Sequence, residues 1–259
     1  MQIEDGFYEV RLARDARDLQ AAQRLRYRVF VEELGGNGPM VDHQARLECD
    51  EFDAIVDHLL LVDNRLDPEG LDNVIGVYRL LPSERVGEGQ RFYSEGEFDI
   101  SVLRASGRPL LELGRSCVAP EHRGGTAMLH LWNGLADYVM TRGIEILFGA
   151  ASFHGTDVAA LAHPLSYLHH RHRTPEACYV RAIGEHAVPM DVIAPEAVDR
   201  RAAMLGTPAL IKAYLRFGGY VGEGAYVDHA FNTTDVCLVV DATTLSARHR
   251  DFYARKTAR

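Results

Sequence analysis

Acids and arginines recur at short intervals in this chain: Arg26-x-x-x-Phe30, Glu48-x-Asp50-x-x-Asp53, Arg79-Leu80-Leu81-Pro82 and Glu112-x-x-Arg115. Such groups can form ion pairs at the edge of a sheet, or they can bind a substrate and move protons. The pattern alone leaves both open. A second candidate is Val118-Ala119-Pro120-Glu121-His122-Arg123-Gly124-Gly125-Thr126-Ala127. Between a strand and a helix, its backbone N–H groups and the helix dipole can hold pyrophosphate or a phosphopantetheine arm, and its glycines permit close approach. A purely structural tight turn accounts for the same residues. His163, His169, His170 and His172 are clustered, but Arg171 and Arg173 flank them and repel a cation, so no metal site is expected. The four cysteines (Cys49, Cys117, Cys178, Cys237) lack any CxxC spacing and read as free thiols. Cys117 beside Val118 reads as packing rather than as a nucleophile.

The elements that must position these groups follow from periodicity. Alternation over residues 7–13 predicts a strand. Asp15 is an N-cap for a helix whose apolar positions run from Leu19 to Phe30 and which ends near Gly35-Gly36. Residues 58–63 and 74–81 are apolar strands joined by a turn, and residues 110–118 form a central strand. A helix is predicted over 126–141, a strand over 145–151, a helix over 157–172 and a strand over 178–183. A helix over 208–217 and a strand over 236–241 complete the chain, with Asn232-Thr233-Thr234-Asp235 readable as a turn or as pocket lining. Strands alternating with helices give an α/β class, and the early strand pair with no helix between makes the sheet mixed. The expected organisation is a core over 1–183 with a C-terminal extension over 184–259 packed on it.

Composition excludes several classes. With 259 residues, 47% hydrophobic and 25% charged, the chain is not wholly disordered. No apolar run reaches the ~18 residues of a membrane helix. The acidic start, Met1-Gln2-Ile3-Glu4-Asp5, has no apolar h-region, so a cytoplasmic protein is expected. A net charge of −9 argues against nucleic acid as a partner. The charge is uneven: residues 31–57 carry eight acids against Arg46 alone, whereas residues 245–259 carry five bases against Asp251.

The strand, Pro-x-x-Arg-Gly bend and helix resemble the acyl-carrier binding motif of the Gcn5-related N-acetyltransferase (GNAT) superfamily. Thr126 and Met128 stand where that motif usually has glycines, which points away from acetyl-coenzyme A and toward a donor such as an acyl carrier protein. The acid and arginine pattern is similar to that of acyl-homoserine-lactone synthases. Longer blocks resemble L-ornithine Nα-acyltransferases: Arg26-Tyr27-Arg28-Val29-Phe30-Val31-Glu32-Glu33, Phe92-Tyr93-Ser94-Glu95-Gly96-Glu97-Phe98-Asp99, Glu112-Leu113-Gly114-Arg115-Ser116-Cys117-Val118, Leu147-Phe148-Gly149-Ala150-Ala151-Ser152-Phe153, Pro208-Ala209-Leu210-Ile211-Lys212-Ala213-Tyr214-Leu215-Arg216 and Phe231-Asn232-Thr233-Thr234-Asp235-Val236. The resemblance covers roughly residues 25–240. It implies a GNAT fold, a mixed central sheet flanked by helices, and transfer of a 3-hydroxyacyl group from acyl carrier protein to the α-amine of L-ornithine, giving lyso-ornithine lipid. The alternatives are an acyl-homoserine-lactone or other N-acyl amino acid synthase and, without catalysis, a carrier- or lipid-binding module.

For that reaction the amine must be neutral, so a base is required, with Glu48 and Glu112 as candidates. Asp50 and Asp53 are expected to hold the distal ammonium. Arg79 and Arg115, with Arg26, contact the acceptor carboxylate or the pantetheine arm, or else form structural pairs. Asn232 and Asp235 are expected to line the acceptor site. Cys117 and Val118, through the main chain, and Arg123, Gly124, Gly125 and Thr126 are expected at the acyl donor. Tyr167 and Tyr214 can serve as acids toward the departing thiol, or simply pack. No cofactor is expected beyond the phosphopantetheine thioester as co-substrate. The expected partners are acyl carrier protein, met by Arg104, Arg108, Arg123 or the basic tail, and transiently the inner membrane surface.

Overall fold

The computed structural model describes residues 2–244. In chain order its strands and α-helices are β1 (Gln2–Asp5), β2 (Tyr8–Leu12), α1 (Ala16–Arg26), β3 (Asp57–Asp63), β4 (Val74–Pro82), β5 (Phe98–Asp99), α2 (Ser101–Ala105), β6 (Leu110–Val118), α3 (Ala127–Thr141), β7 (Ile146–His154), α4 (Ala162–His172), β8 (Arg181–Ala182), β9 (Ala187–Val188), α5 (Arg200–Gly206), α6 (Ala209–Arg216), β10 (Tyr220–Val221), β11 (Ala225–Asp228) and β12 (Thr233–Asp241). The basic tail over residues 245–259 lies outside the described residues. Among the described residues no helix is long and apolar enough to cross a membrane.

The chain packs into two units. One holds the chain up to Val86 together with Leu113–Gly143; the other holds Gly87–Glu112 and the chain from Ile144. Strand β6 gives its residues 113–118 to the first and 110–112 to the second.

In the first unit β1, β2, β3 and β4 form an antiparallel meander, with β6 beside β4. β3 and β4 are buried almost throughout, so an apolar run rather than strict alternation marks them in the sequence. Helix α3 covers this sheet closely. A Cβ on Gly134 would meet Val10 Cγ1 at 2.5 Å, and one on Gly76 would meet Leu131 Cδ1 at 2.9 Å, so both positions need glycine for contact rather than for backbone freedom. Helix α1 begins as expected: the Asp15 carboxylate accepts from the N–H groups of Arg17 and Asp18. Past Arg26 the helix widens into a π-helical turn, Tyr27–Glu33, which stops at Gly35 with φ +77°.

In the second unit residues 110–112 of β6 run parallel to β7, and β7 pairs antiparallel with the whole of β12. Parallel and antiparallel pairs together make the sheet mixed, as its sequence predicts. β12 also pairs with β10 and β11, and β11 with β9. Three expectations change here. Residues 233–235 belong to β12 rather than to a turn, because nine register pairs from His154 to Ile146 override their polar composition. Helix α4 starts at Ala162, not 157. The Asp157 carboxylate diverts the N–H groups of Ala159 and Ala160 into a turn, and the later start puts Pro164 in the first turn, where its missing donor is tolerated. The strand expected over 178–183 shrinks to the two residues of β8, paired with β5.

Candidate active site

The first unit gathers the expected acids and arginines into one network. Arg26, the last residue of α1, is completely buried. Its Nε donates to Glu48 Oε2 at 2.5 Å and its Nη atoms donate to both Asp53 oxygens at 2.8 Å. Arg79 on β4 donates to Asp50 at 2.5 Å and to Asp53 at 3.2 Å. Arg115 on β6 donates to Glu48 Oε1 at 3.0 Å and reaches Asp50 at 3.4 Å. Glu48 is only 1% exposed, yet its carboxyl is held below the usual range. Burial opposes this, and the charges of Arg115, Arg26 and Arg79 outweigh burial. Asp53 is lowered too, against burial, by Arg26 first and then Arg79. His58, beside Asp53, is pushed down by burial and by Arg26, so its ring stays neutral.

This geometry bears on the expected roles. Asp53 is occupied by two guanidiniums and by the Gln23 amide, and Asp50 accepts from Arg79 and from the N–H of Phe52. A carboxylate gripped this way orients arginines before it can hold a substrate ammonium. Glu48, flanked by two guanidiniums, has lost proton affinity. Arg115 is the strained member: its φ is +48°, in a region that costs a non-glycine residue on the order of 1–3 kcal/mol. Its side chain is 12% exposed, against 0% for Arg26 and 4% for Arg79.

Three residues after Arg115 the same strand delivers the bend. Pro120–His122 form a 3-10 turn, and Gly124 takes φ +77° before α3 begins. Residues 123–126 are exposed, so the bend is open to solvent. Thr126 makes no side-chain cap to α3. Arg123 braces the bend, donating to the Val118 carbonyl at 3.0 Å and to Glu33 at 2.6 and 2.7 Å. Arg28 reaches Glu121 at 2.9 Å. The network and the bend therefore share one support, α1 and its π-helical continuation. Cys117 is buried and its thiol is pushed up to about 12 by burial, which removes it as a nucleophile at neutral pH.

The second unit places the remaining candidates. Both Glu112 oxygens accept backbone N–H groups, from Tyr93 at 2.9 Å and Ser94 at 2.7 Å. Asp235 is buried on β12, and Asn232 precedes it with φ +53°. Around Asp235 stand two carboxylates that the sequence reading did not single out as site residues. Glu97, Asp228 and Asp235 have carboxylate oxygens within 4.8 Å of one another. Glu97 lies inside the Phe92–Asp99 block, but nothing in its spacing links it to residues more than a hundred positions later. Tyr214 is buried, and Tyr167 packs near His172. His170, near the end of α4, bonds the Ile193 carbonyl, and His163, at its start, accepts from the Asp199 N–H, so these histidines tie both ends of α4 to the chain that follows. Arg104 and Arg108, expected to face a carrier protein, pair with Glu95 and with Glu145 and Asp241. Arg123, expected to do the same, pairs with Glu33 in the first unit.

Comparison with known proteins fits this arrangement. Residues 25–133 match the family described as "Acetyltransferase (GNAT) domain". The L-ornithine N(alpha)-acyltransferase of Rhodobacter capsulatus is 61% identical over 96% of this chain and 95% of its own length. That of Brucella abortus is 40% identical over 98% and 91%. A CoA-dependent acyl-homoserine lactone synthase shares the fold at TM-score 0.51 and 16% identity, over 93% of this chain and 82% of its own. An N-acyl amino acid synthase from uncultured soil microbes does so at TM-score 0.51 and 11% identity, over 92% of each chain. The fold is thus that of GNAT acyltransferases, and the chain, an N-acyltransferase, belongs to the L-ornithine Nα-acyltransferase family.

Proposed function

We propose that this enzyme transfers a 3-hydroxyacyl group from the phosphopantetheine thioester of acyl carrier protein to the α-amine of L-ornithine. The products would be Nα-acylornithine (lyso-ornithine lipid) and free carrier protein. The observation that carries the acceptor is the 61% identity along nearly the whole chain to a protein named for that activity. The acyl-carrier donor rests on the bend, where Thr126 and Met128 replace the usual glycines while Gly124 and Gly125 remain exposed.

The neutral α-amine attacks the thioester carbonyl, the C–N bond forms and the C–S bond breaks. The amine proton leaves, and the departing pantetheine thiolate takes up a proton. An α-amine has a reference pKa near 8, so roughly a tenth is neutral at pH 7 and only a weak base is needed. We assign that proton transfer, through water, to Glu112. Glu48, whose proton affinity the arginines reduce, instead fixes Arg115. Arg115, the most exposed arginine of the network, is assigned the acceptor carboxylate, a planar bidentate match. Backbone N–H groups at Cys117 or Val118 would receive the developing oxyanion. Asn232 lines the acceptor, and the product, being amphiphilic, meets the inner membrane surface.

Mass spectrometry of reactions containing 3-hydroxyacyl-acyl carrier protein and either L-ornithine or S-adenosylmethionine tests this. An ornithine adduct acylated on its α-nitrogen is expected. A lactone from S-adenosylmethionine would overturn the assignment.

A further inference from the structure

An acylated amino acid is an amphiphile, so it leaves its enzyme for a bilayer rather than for water. The place where the chain meets a bilayer is marked by cations that the fold has left without counter-charge. Within the second unit Arg173 pairs with Glu223, Arg181 with Asp99, Arg104 with Glu95, and Arg108 with Glu145 and Asp241. Arg171, Arg200, Arg201 and Arg216, on α4, α5 and α6 of the same unit, have no carboxylate partner among the described residues.

Arg200, Arg201 and Arg216 fall with Lys212 in residues 200–222, which hold four bases and no acid in a chain of net charge −9. The nearest acids upstream are Glu196 and Asp199, and the Asp199 carboxylate caps α5, accepting from the N–H groups of Arg201 and Ala202. On α5, Arg200 and Met204 are four residues apart, as are Arg201 and Leu205, so each guanidinium stands one turn from an apolar side chain on the same face. Both arginines are exposed, Met204 is 38% exposed, and Leu205, at 75%, is the most exposed large hydrophobic residue of those described. Ala203 takes the buried side of the helix, and a Cβ on Gly206 would lie 3.4 Å from Pro164 Cγ of α4. Lys212 Nζ donates to the Met204 carbonyl at 3.0 Å, which ties α6 to the end of α5, and the exposed Arg216 follows Lys212 by one turn. Anionic headgroups complement such a surface, and their boundary with the acyl chains takes up the apolar tips. An acidic protein also pairs arginines, but the protruding Leu205 and the amphiphilic product favour a bilayer.

We propose that α5 and the adjoining face of α6, through Arg200, Arg201, Met204, Leu205 and Arg216, dock the enzyme on an anionic lipid surface. This rests on the acyl-ornithine reading of the product and deepens it by naming the residues that meet the lipid.

The test is co-sedimentation of the full chain with vesicles of phosphatidylcholine alone, or of equal parts phosphatidylcholine and phosphatidylglycerol. Wild type is expected to bind the anionic vesicles about tenfold more tightly or better, and to lose that preference in high salt. One base near such a surface is worth about fivefold in binding, so the double variant Arg200→Gln, Arg201→Gln is expected to lose roughly 20-fold. Leu205→Gln is expected to lose about three- to tenfold. Both variants should keep the wild-type melting temperature, and acyl transfer without vesicles within about twofold. Wild type that binds neither vesicle overturns the proposal. A double variant that binds as tightly as wild type also overturns it and moves lipid binding to the basic tail. Unchanged vesicle binding with a raised KM for acyl carrier protein overturns it in favour of that protein as the occupant. Vesicle binding is read without turnover, so an enzyme that shows the expected binding but does not acylate ornithine would sink the product reading and leave the docking surface standing.

Discussion

Two carboxylate-rich regions of this molecule set the same side chains in different company. In the first unit Glu48, Asp50 and Asp53 each meet at least one guanidinium, and the shifts at Glu48 and Asp53 are downward. In the second unit Glu97, Asp228 and Asp235 meet one another. The lesson is that counting acids does not locate a cation site; what matters is whether the fold has already supplied the counter-charge. A paired network gives rigidity and positions Arg115.

The comparison breaks most readily at Arg26. Arg26→Met would leave Glu48 and Asp53 buried without their main partner, and a loss of about 3–5 kcal/mol is expected. The melting temperature would fall by roughly 10 °C or more. A fall of only a degree or two would show that the network is not structural.

The next effect is a contrast of size. Glu48→Gln is expected to destabilise by about 2–3 kcal/mol, since it strips counter-charge from two arginines. Glu145→Gln, in the second unit at a partly exposed pair with Arg108, is expected to cost less than about 1 kcal/mol. Urea unfolding of both variants decides this, and equal losses would erase the distinction.

Acid titration sharpens the same contrast. Glu48 and Asp53 have folded values below their unfolded ones, so their contribution is present above the unfolded value near 4 and fades as pH falls toward the folded values. Melting temperature should therefore drop steeply below about pH 4, and Asp53→Asn should flatten that limb. A limb of unchanged slope in the variant would contradict the assignment.

The smallest effect is expected at Cys117. Its thiol is raised to about 12 by burial, and Cys117→Ala should change kcat by less than about threefold. A loss of a hundredfold would revive covalent catalysis.

The sequence made some of this legible. The Asp15 cap, the apolar runs of β3 and β4, the bend and the mixed sheet are local signals, and the structure carries them. The conjunction of Arg26, Glu48, Asp53, Arg79 and Arg115 was legible as an ordered pattern, although whether it pairs internally or binds a substrate depends on burial, which spacing does not reveal. The Glu97–Asp228–Asp235 cluster was hidden because it depends on β11–β12 register and on a turn far away in the chain. Residues 233–235 read as a turn by composition and became a strand through pairing with β7.

The most direct test of the central claim is acyl transfer itself. The full chain is incubated with 3-hydroxyacyl-acyl carrier protein and L-ornithine, and the product is fragmented by tandem mass spectrometry to locate the acylated nitrogen. The expected product carries the acyl group on the α-nitrogen with the distal amine unmodified. Acylation of the distal nitrogen, or an adduct with S-adenosylmethionine and none with ornithine, would contradict it.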